Sequence, residues 1–148
     1  MRVLILGIDG YLGWTFSLYL AARGHEVFGC DNGLRRARVA QMGSQSVTPI
    51  QAMEWRFVQA EEEKHFYHGS ILDYEFVDRL FLRAEPDAIV HCAEIPSAPY
   101  SMQSREACVE VQTNNVIGTL NVLYAMQARA PQAHLLKLGT MGEYGTPN

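Results

Sequence analysis

RVLILGIDGYLG (residues 2–13) opens with a short, mostly apolar run, Arg2 to Leu6, that stops at a glycine. Such a run ahead of a helical pattern predicts a buried parallel strand. Gly7, Gly10 and Gly13 then recur every third residue. Each has a physical task at a strand-to-helix turn. The first permits the tight turn, the second lets the backbone approach a pyrophosphate, and the third lets helix and strand pack closely. A helix is predicted from Tyr11 to Arg23, with Leu12, Phe16 and Leu20 on one face and Gly24 at its end. Phosphates would sit at its N-terminus, where unpaired N–H groups and the helix dipole favour anions. A glycine triplet alone is weak evidence, but strand before and helix after, inside a βαβ unit of about 30 residues, is the context that strengthens it.

The next strand, HEVFGC (residues 25–30), closes on Asp31-Asn32-Gly33. Asp31 lies 18 residues after Gly13, close to the roughly 20 expected for the acid that binds the ribose hydroxyls of a dinucleotide. A carboxylate there repels a 2′-phosphate, so NAD is expected over NADP. Arg35 and Arg36 leave a choice open: they serve adenine and pyrophosphate, or they bind that 2′-phosphate. The other reading of Asp31-Asn32-Gly33 is a plain turn.

Outward from this unit the pattern keeps alternating. A helix is predicted over Leu34–Gln41. Residues 43–65 are hard to read, with GSQSVTPI a loop by composition, EEEK a solvated run, and Trp55 and Phe57 expected to pack. Further strands are predicted at His65–Gly69, Asp87–Cys92 and Ala133–Leu138. Helices are predicted at Tyr74–Arg83, with Asp73 as N-cap, and at Arg105–Arg129, where Val109, Val116, Leu120 and Leu123 share one face. Five alternating strands define an α/β, doubly wound parallel sheet, and right-handed crossovers give the order 3-2-1-4-5.

The 148 residues suit one domain, 1–148, and 48% apolar residues are ample for a core. A net charge of −4 argues against nucleic acid or an anionic membrane as the main partner, although ten of the twelve basic residues are arginines able to meet phosphate locally. Three cysteines, at 30, 92 and 108, have neither zinc-site nor disulfide spacing, so no metal is expected and Cys30 and Cys92 read as buried thiols. Met1-Arg2 leads straight into a strand, with no signal or transit peptide and no run near the ~20 apolar residues of a membrane span. A cytoplasmic, reducing compartment is the expectation. His91 reads as a satisfied core histidine and Lys137 as a sheet-edge residue. Glu94 is either a cleft or a loop carboxylate.

The G-x-x-G-x-x-G spacing, EPDAIVHCA (85–93), NNVIGTLNVL (114–123) and GTMGEYG (139–145) together resemble the extended short-chain dehydrogenase/reductases, the NAD-dependent nucleotide-sugar epimerases and dehydratases. DNGLRR, TPI, SAPYSM and KLGTMGEYGTPN narrow the resemblance to the branch that makes a sulfonated nucleotide sugar from UDP-glucose and sulfite. The resemblance covers the whole chain but only that family's N-terminal part. It implies that Gly10, Tyr11, Leu12, Asn32, Arg35 and Arg36 hold NAD, with Ser70, Ile71, Ala93 and Asn115 beside it. It also implies that Thr140 hydrogen-bonds the sugar hydroxyl being oxidised, aiding proton transfer, and that Tyr100, Met141 and Glu143 meet the hexose. The long helix would pair across a two-fold axis in a homodimer, leaving its apolar face open in this chain alone.

There are departures. The family has Gly-Asp-Ile where this chain has Gly69-Ser70-Ile71, so one adenine contact loses its charge. The narrower branch has Gln-Arg where this chain has Ile95-Pro96, which removes an anion contact. Met141-Gly142 replaces the Asp-Glu pair of hexose 4,6-dehydratases, and neither residue can move a proton. None of the seven tyrosines is followed by Lys four residues on, so the Tyr-x-x-x-Lys pair of the family is absent, and the chain alone is expected to be inactive. Three arrangements follow: the N-terminal part of a longer enzyme, a non-catalytic dinucleotide-binding module, or one half of a split enzyme.

Overall fold

The computed structural model describes residues 1–59, 65–96 and 98–139. Strands β1 (Arg2–Leu6), β2 (Glu26–Asp31), β3 (Phe66–His68), β4 (Ala88–His91) and β5 (His134–Lys137) form one sheet in the order β3-β2-β1-β4-β5. Every pairing is parallel, with Val3 beside Val27 on one flank and Ala88 on the other. The predicted fold class and strand order are therefore observed. The predicted strand bounds shrink or shift by a residue or two, as expected at element ends.

Strand β1 has no polar face because helices cover both sides. Leu4 and Leu6 join Phe28, Ile89, Val77, Phe81 and Val122 on one side. Val3 and Ile5 join Ile8, Val27 and Met53 on the other. The first layer belongs to α4 (Tyr74–Ala84) and α7 (Gly118–Arg129), the second to α1 (Tyr11–Ala21) and α3 (Met53–Gln59). The Asp73 carboxylate caps α4, accepting the Phe76 N–H at 3.0 Å. Asp73→Ala is expected to cost about 1 kcal/mol in urea unfolding, with no change in the shape of the transition.

Two helices differ from the sequence reading. In α1 the fully buried positions are Gly13 and Ser17, while Leu12 is exposed. Phe16 and Leu20 of the predicted face do pack, half-buried, against the core, while at Gly13 the helix comes too close to the glycine turn for any side chain. The stretch Arg105–Arg129 is not one regular helix. It runs as α6 (Arg105–Gln112), a π-helical turn (Thr113–Ile117) and α7. Its buried stripe is Ala107, Val111, Asn114, Gly118, Val122 and Ala125. Val109, Val116, Leu120 and Leu123 point outward, each 45–58% exposed. A Cβ at Gly118 would sit 2.4 Å from the Ile71 Cδ1, so close approach, not bulk, chooses the inward face. The remaining helices are α2 (Leu34–Gln41) and the short α5 (Ala98–Ser101). Trp55 is half exposed, and Trp14 is packed with the Arg56 guanidinium 4.0 Å from its ring centre.

Candidate functional site

A cleft of about 620 Å³ opens at the C-terminal end of the sheet, across the tip of β1. That is where chain direction divides, with β2 on one side of β1 and β4 on the other, the switch point at which open α/β sheets bind ligands. Gly7, Gly10, Tyr11, Leu12 and Gly13 form its floor. Gly7 has φ +82°, and a Cβ there would lie 2.8 Å from the Ala93 nitrogen. A Cβ on Gly13 would lie 2.2 Å from the Gly7 carbonyl oxygen. No side chain caps the N-terminus of α1, so its first-turn N–H groups face the cleft as anion donors.

Asp31 stands at the rim. Its Oδ2 accepts the Asp9 N–H at 3.0 Å and its Oδ1 the Gly33 N–H at 2.8 Å. Each oxygen keeps lone-pair capacity for a further donor. Burial is the largest influence on its pKa and raises it above the ordinary carboxylate value, while the N–H bonds pull the other way. This donor set fits a dinucleotide: backbone N–H groups for the pyrophosphate, an acid for the ribose, and an apolar wall that includes Leu34, Val39, Ile71 and Ile95.

Other predicted residues fall in three groups. Asn32, Arg35, Ile71, Ala93 and Tyr100 line the cleft. Arg36, Ser70 and Asn115 do not. Arg36 is drawn to Asp9, with Nε–Oδ2 at 2.5 Å and Nη2–Oδ1 at 2.8 Å. Ser70 uses its Oγ to accept the Leu72 N–H at 3.2 Å. Asn115 clamps the loop after β4, accepting the Ile95 N–H at 2.9 Å and donating to the Ile95 carbonyl at 3.3 Å. Thr140, Met141 and Glu143 lie outside the described residues.

Tyr100 presents its ring to the cleft, and its hydroxyl donates to Glu110 at 2.5 Å. Arg38 pairs with the same Glu110 and lines the cleft. This joins α2 to α6 across the mouth, with Ile95, Ala107 and Val111 packed beneath. Arg38, Asn114 and Asp9 were missed in the sequence. Asn114 lies beside Asn115 on the π-helical turn, is buried, and donates to the Ala93 carbonyl at 3.1 Å. A mid-helix glycine three residues after a paired asparagine was the available signal.

His91 is fully buried at the back of the cleft. Its Nδ1 accepts the Ala93 N–H at 3.3 Å, which leaves Nε2 as the donor to Thr119 Oγ1 at 3.2 Å. Burial holds its pKa down at about 4, so the ring is neutral at pH 7. Glu94 lines the cleft and pairs with Lys137 at 2.7 Å. Burial pushes the Cys30 thiol up to about 12 and the Cys92 thiol up to about 11, which makes both poor nucleophiles. Among the described residues no cluster of side chains could hold a metal ion, and no helix is long and apolar enough to cross a membrane.

A turn with no room for a side chain at Gly7 or Gly13, an acid at the end of β2 and a parallel 3-2-1-4-5 sheet define a dinucleotide-binding Rossmann fold. Residues 3–148 match the NAD-dependent epimerase/dehydratase family, and the chain belongs to that family. It is 47% identical to UDP-sulfoquinovose synthase of Sulfolobus acidocaldarius, across 99% of this chain and 38% of that protein. It is 44% identical to the chloroplastic UDP-sulfoquinovose synthase of Spinacia oleracea, across 99% of this chain and 31% of that one. The chain thus spans less than two-fifths of these relatives. Among solved structures, UDP-glucose 4-epimerase of Thermus thermophilus, in complex with NAD, superposes with a TM-score of 0.64 at 27% identity, covering 87% of this chain and 34% of that one.

Proposed function

We propose that residues 1–148 are the NAD-binding domain of an enzyme that makes UDP-sulfoquinovose from UDP-glucose and sulfite. The observation that carries the cofactor reading is the glycine turn, closed to a Cβ at Gly7 and Gly13 and facing Asp31 across one cleft. Tyr11, Leu12 and Gly13 N–H groups would hold the pyrophosphate. Asp31 would take the adenosine ribose, with Asn32 and Arg35 beside it and Ile71 and Ala93 on the walls. Bound NAD supplies a reversible hydride acceptor.

The sugar chemistry rests on the sequence similarity to the two synthases. In this reading the glucosyl C4 hydroxyl is transiently oxidised, and the ketone acidifies C5. Water leaves across C5–C6, sulfite adds to the alkene, and reduction at C4 completes the product. Thr140 hydrogen-bonds the reacting hydroxyl, while Met141, Glu143 and the Tyr100 ring flank the hexose. The Tyr-x-x-x-Lys pair and a sugar-binding lobe would come from polypeptide additional to this chain. The outward row of Val109, Val116, Leu120 and Leu123 would serve a homodimer contact.

Asp31→Ala tests the cofactor assignment. Titration calorimetry should show NAD binding weakened about tenfold or more, with NADP weakened much less. A chain that binds NADP better than NAD before substitution would refute it. The sugar reading is tested separately, by mass spectrometry of the longest natural polypeptide containing this chain, incubated with NAD, UDP-glucose and sulfite. UDP-sulfoquinovose is the expected product. A 4-epimer as sole product would overturn the synthase assignment and leave the NAD site standing.

A further inference from the structure

The glycine turn contains an acid that neither the pyrophosphate nor the ribose needs. Asp9 sits between Gly7 and Gly10, and its side chain is only 4% exposed. A buried carboxylate is costly unless paired, and Asp9 is paired twice. Arg36, from α2, grips it with two hydrogen bonds of 2.5 and 2.8 Å. Arg56, from α3, reaches its Oδ1 at 2.7 Å and its carbonyl oxygen at 3.2 Å. The other faces of both guanidiniums are occupied as well. Arg36 Nη2 donates to the Gln51 carbonyl at 2.9 Å, and Arg56 stacks on Trp14. The Asp9 N–H, meanwhile, is what positions Asp31 Oδ2.

The carboxylate that selects a dinucleotide by its ribose is therefore one hydrogen bond from a residue holding two arginines. In Rossmann domains an arginine near that acid is the group that accommodates a 2′-phosphate. Arg36 is close enough to feel the Asp31 charge as well as the Asp9 charge. Its neighbour Arg35 is exposed and has no hydrogen bond or ion pair among the described residues. Within the group of Asp9, Asp31, Arg36 and Arg56, two carboxylates and two guanidiniums balance to zero. Loss of the Asp9 charge would leave that corner one positive charge in excess and free Arg36 to turn.

We propose that Asp9 is a specificity-determining residue that keeps Arg36 and Arg56 from the ribose 2′ position and so makes the cleft reject NADP. The proposal rests on the NAD reading above. It decides the choice the sequence left open for Arg36, which is neither an adenine contact nor a phosphate ligand while Asp9 is ionised and in place.

The test is calorimetric titration of the 148-residue chain with NAD and with NADP, for the unsubstituted protein, Asp9→Asn, Arg36→Met and the double variant. Thermal unfolding followed by circular dichroism reports whether each variant folds. Asp9→Asn should raise the NADP-to-NAD affinity ratio about tenfold, the order expected for one charge in excess near a partly screened site. Adding Arg36→Met to it should remove most of that gain. Arg36→Met alone should leave the ratio where it was, because Arg36 is already committed. An unchanged ratio in folded Asp9→Asn would overturn the proposal, as would a ratio that stays high in the double variant. If Asp9→Asn does not fold, the Arg36→Met ratio decides: a tenfold fall would mean Arg36 already serves the phosphate. Failure of the unsubstituted chain to bind NAD would instead overturn the underlying cofactor assignment.

Discussion

Gly13→Ala is expected to destabilise the chain by about 1–3 kcal/mol, the usual cost of overpacking, and to abolish measurable NAD binding. The direction is not obvious from helix propensity, because Gly13 lies in α1, where alanine is favoured over glycine by about 1 kcal/mol. The packing term wins. The new Cβ would meet the Gly7 carbonyl oxygen at 2.2 Å and the Ile8 Cα at 2.8 Å. Both are backbone atoms in a turn locked to β2, since the Gly7 and Ile8 N–H groups both donate to the Cys30 carbonyl, at 2.8 and 3.1 Å. No side chain can swing away, so α1 must lift off the sheet. That movement carries the first-turn N–H groups away from the cleft. Urea unfolding and NAD calorimetry on the same sample check both halves. A stabilised variant that still binds NAD would show that α1 does not pack on β1 as described.

The second large effect is a loss of stability in mild acid through His91. In the folded chain burial holds its pKa at about 4, against an ordinary value of 6.5. The unfolded chain therefore takes up the proton first as pH falls. The stabilisation tied to neutral His91 is complete above pH 6.5 and drains away between 6.5 and about 4. That separation corresponds to about 3 kcal/mol, a large share of a domain's total. Unfolding free energies at pH 7 and pH 4.5 should differ more for the unsubstituted chain than for His91→Gln. Gln keeps a hydrogen-bonding side chain toward Thr119 and the Ala93 N–H but does not titrate. Equal differences for the two proteins would mean that the imidazole is not buried neutral. The same geometry explains why this histidine is no proton carrier: both ring nitrogens are already engaged, and the ring cannot charge at neutral pH.

The glycine turn and the acid after it were legible in RVLILGIDGYLG and DNGLRR because each glycine answers a local steric demand. The strand order was legible because right-handed crossovers leave few ways to wind alternating strands and helices. Less legible was which face of a helix turns inward. Leu12 and the row Val109, Val116, Leu120 and Leu123 are the larger apolar residues, yet the structure buries Gly13, Ser17, Ala107 and Gly118. Periodicity counts hydrophobic area, and at these two helices close backbone approach outweighs it. The segment 43–65 offered no pattern because its contacts are made by isolated residues rather than by a periodic face. Among its described residues Met53 is buried, and Arg56 is held by an acid 47 positions earlier in the chain.

The sequence by itself determined the fold class, the sheet order and the location of the cleft, which follow from local turn chemistry and short-range periodicity, and the family, through the resemblance of its motifs. Only the tertiary structure decided which partners the charged residues around the cleft take. Asp9 looked like a spacer between two glycines and Arg36 like a ligand for the dinucleotide. Folding brings α2 and α3 against the glycine turn, and a buried carboxylate must find its counter-ions there. It takes Arg36 and Arg56, because a carboxylate held out of water with no counter-ion is strongly destabilising.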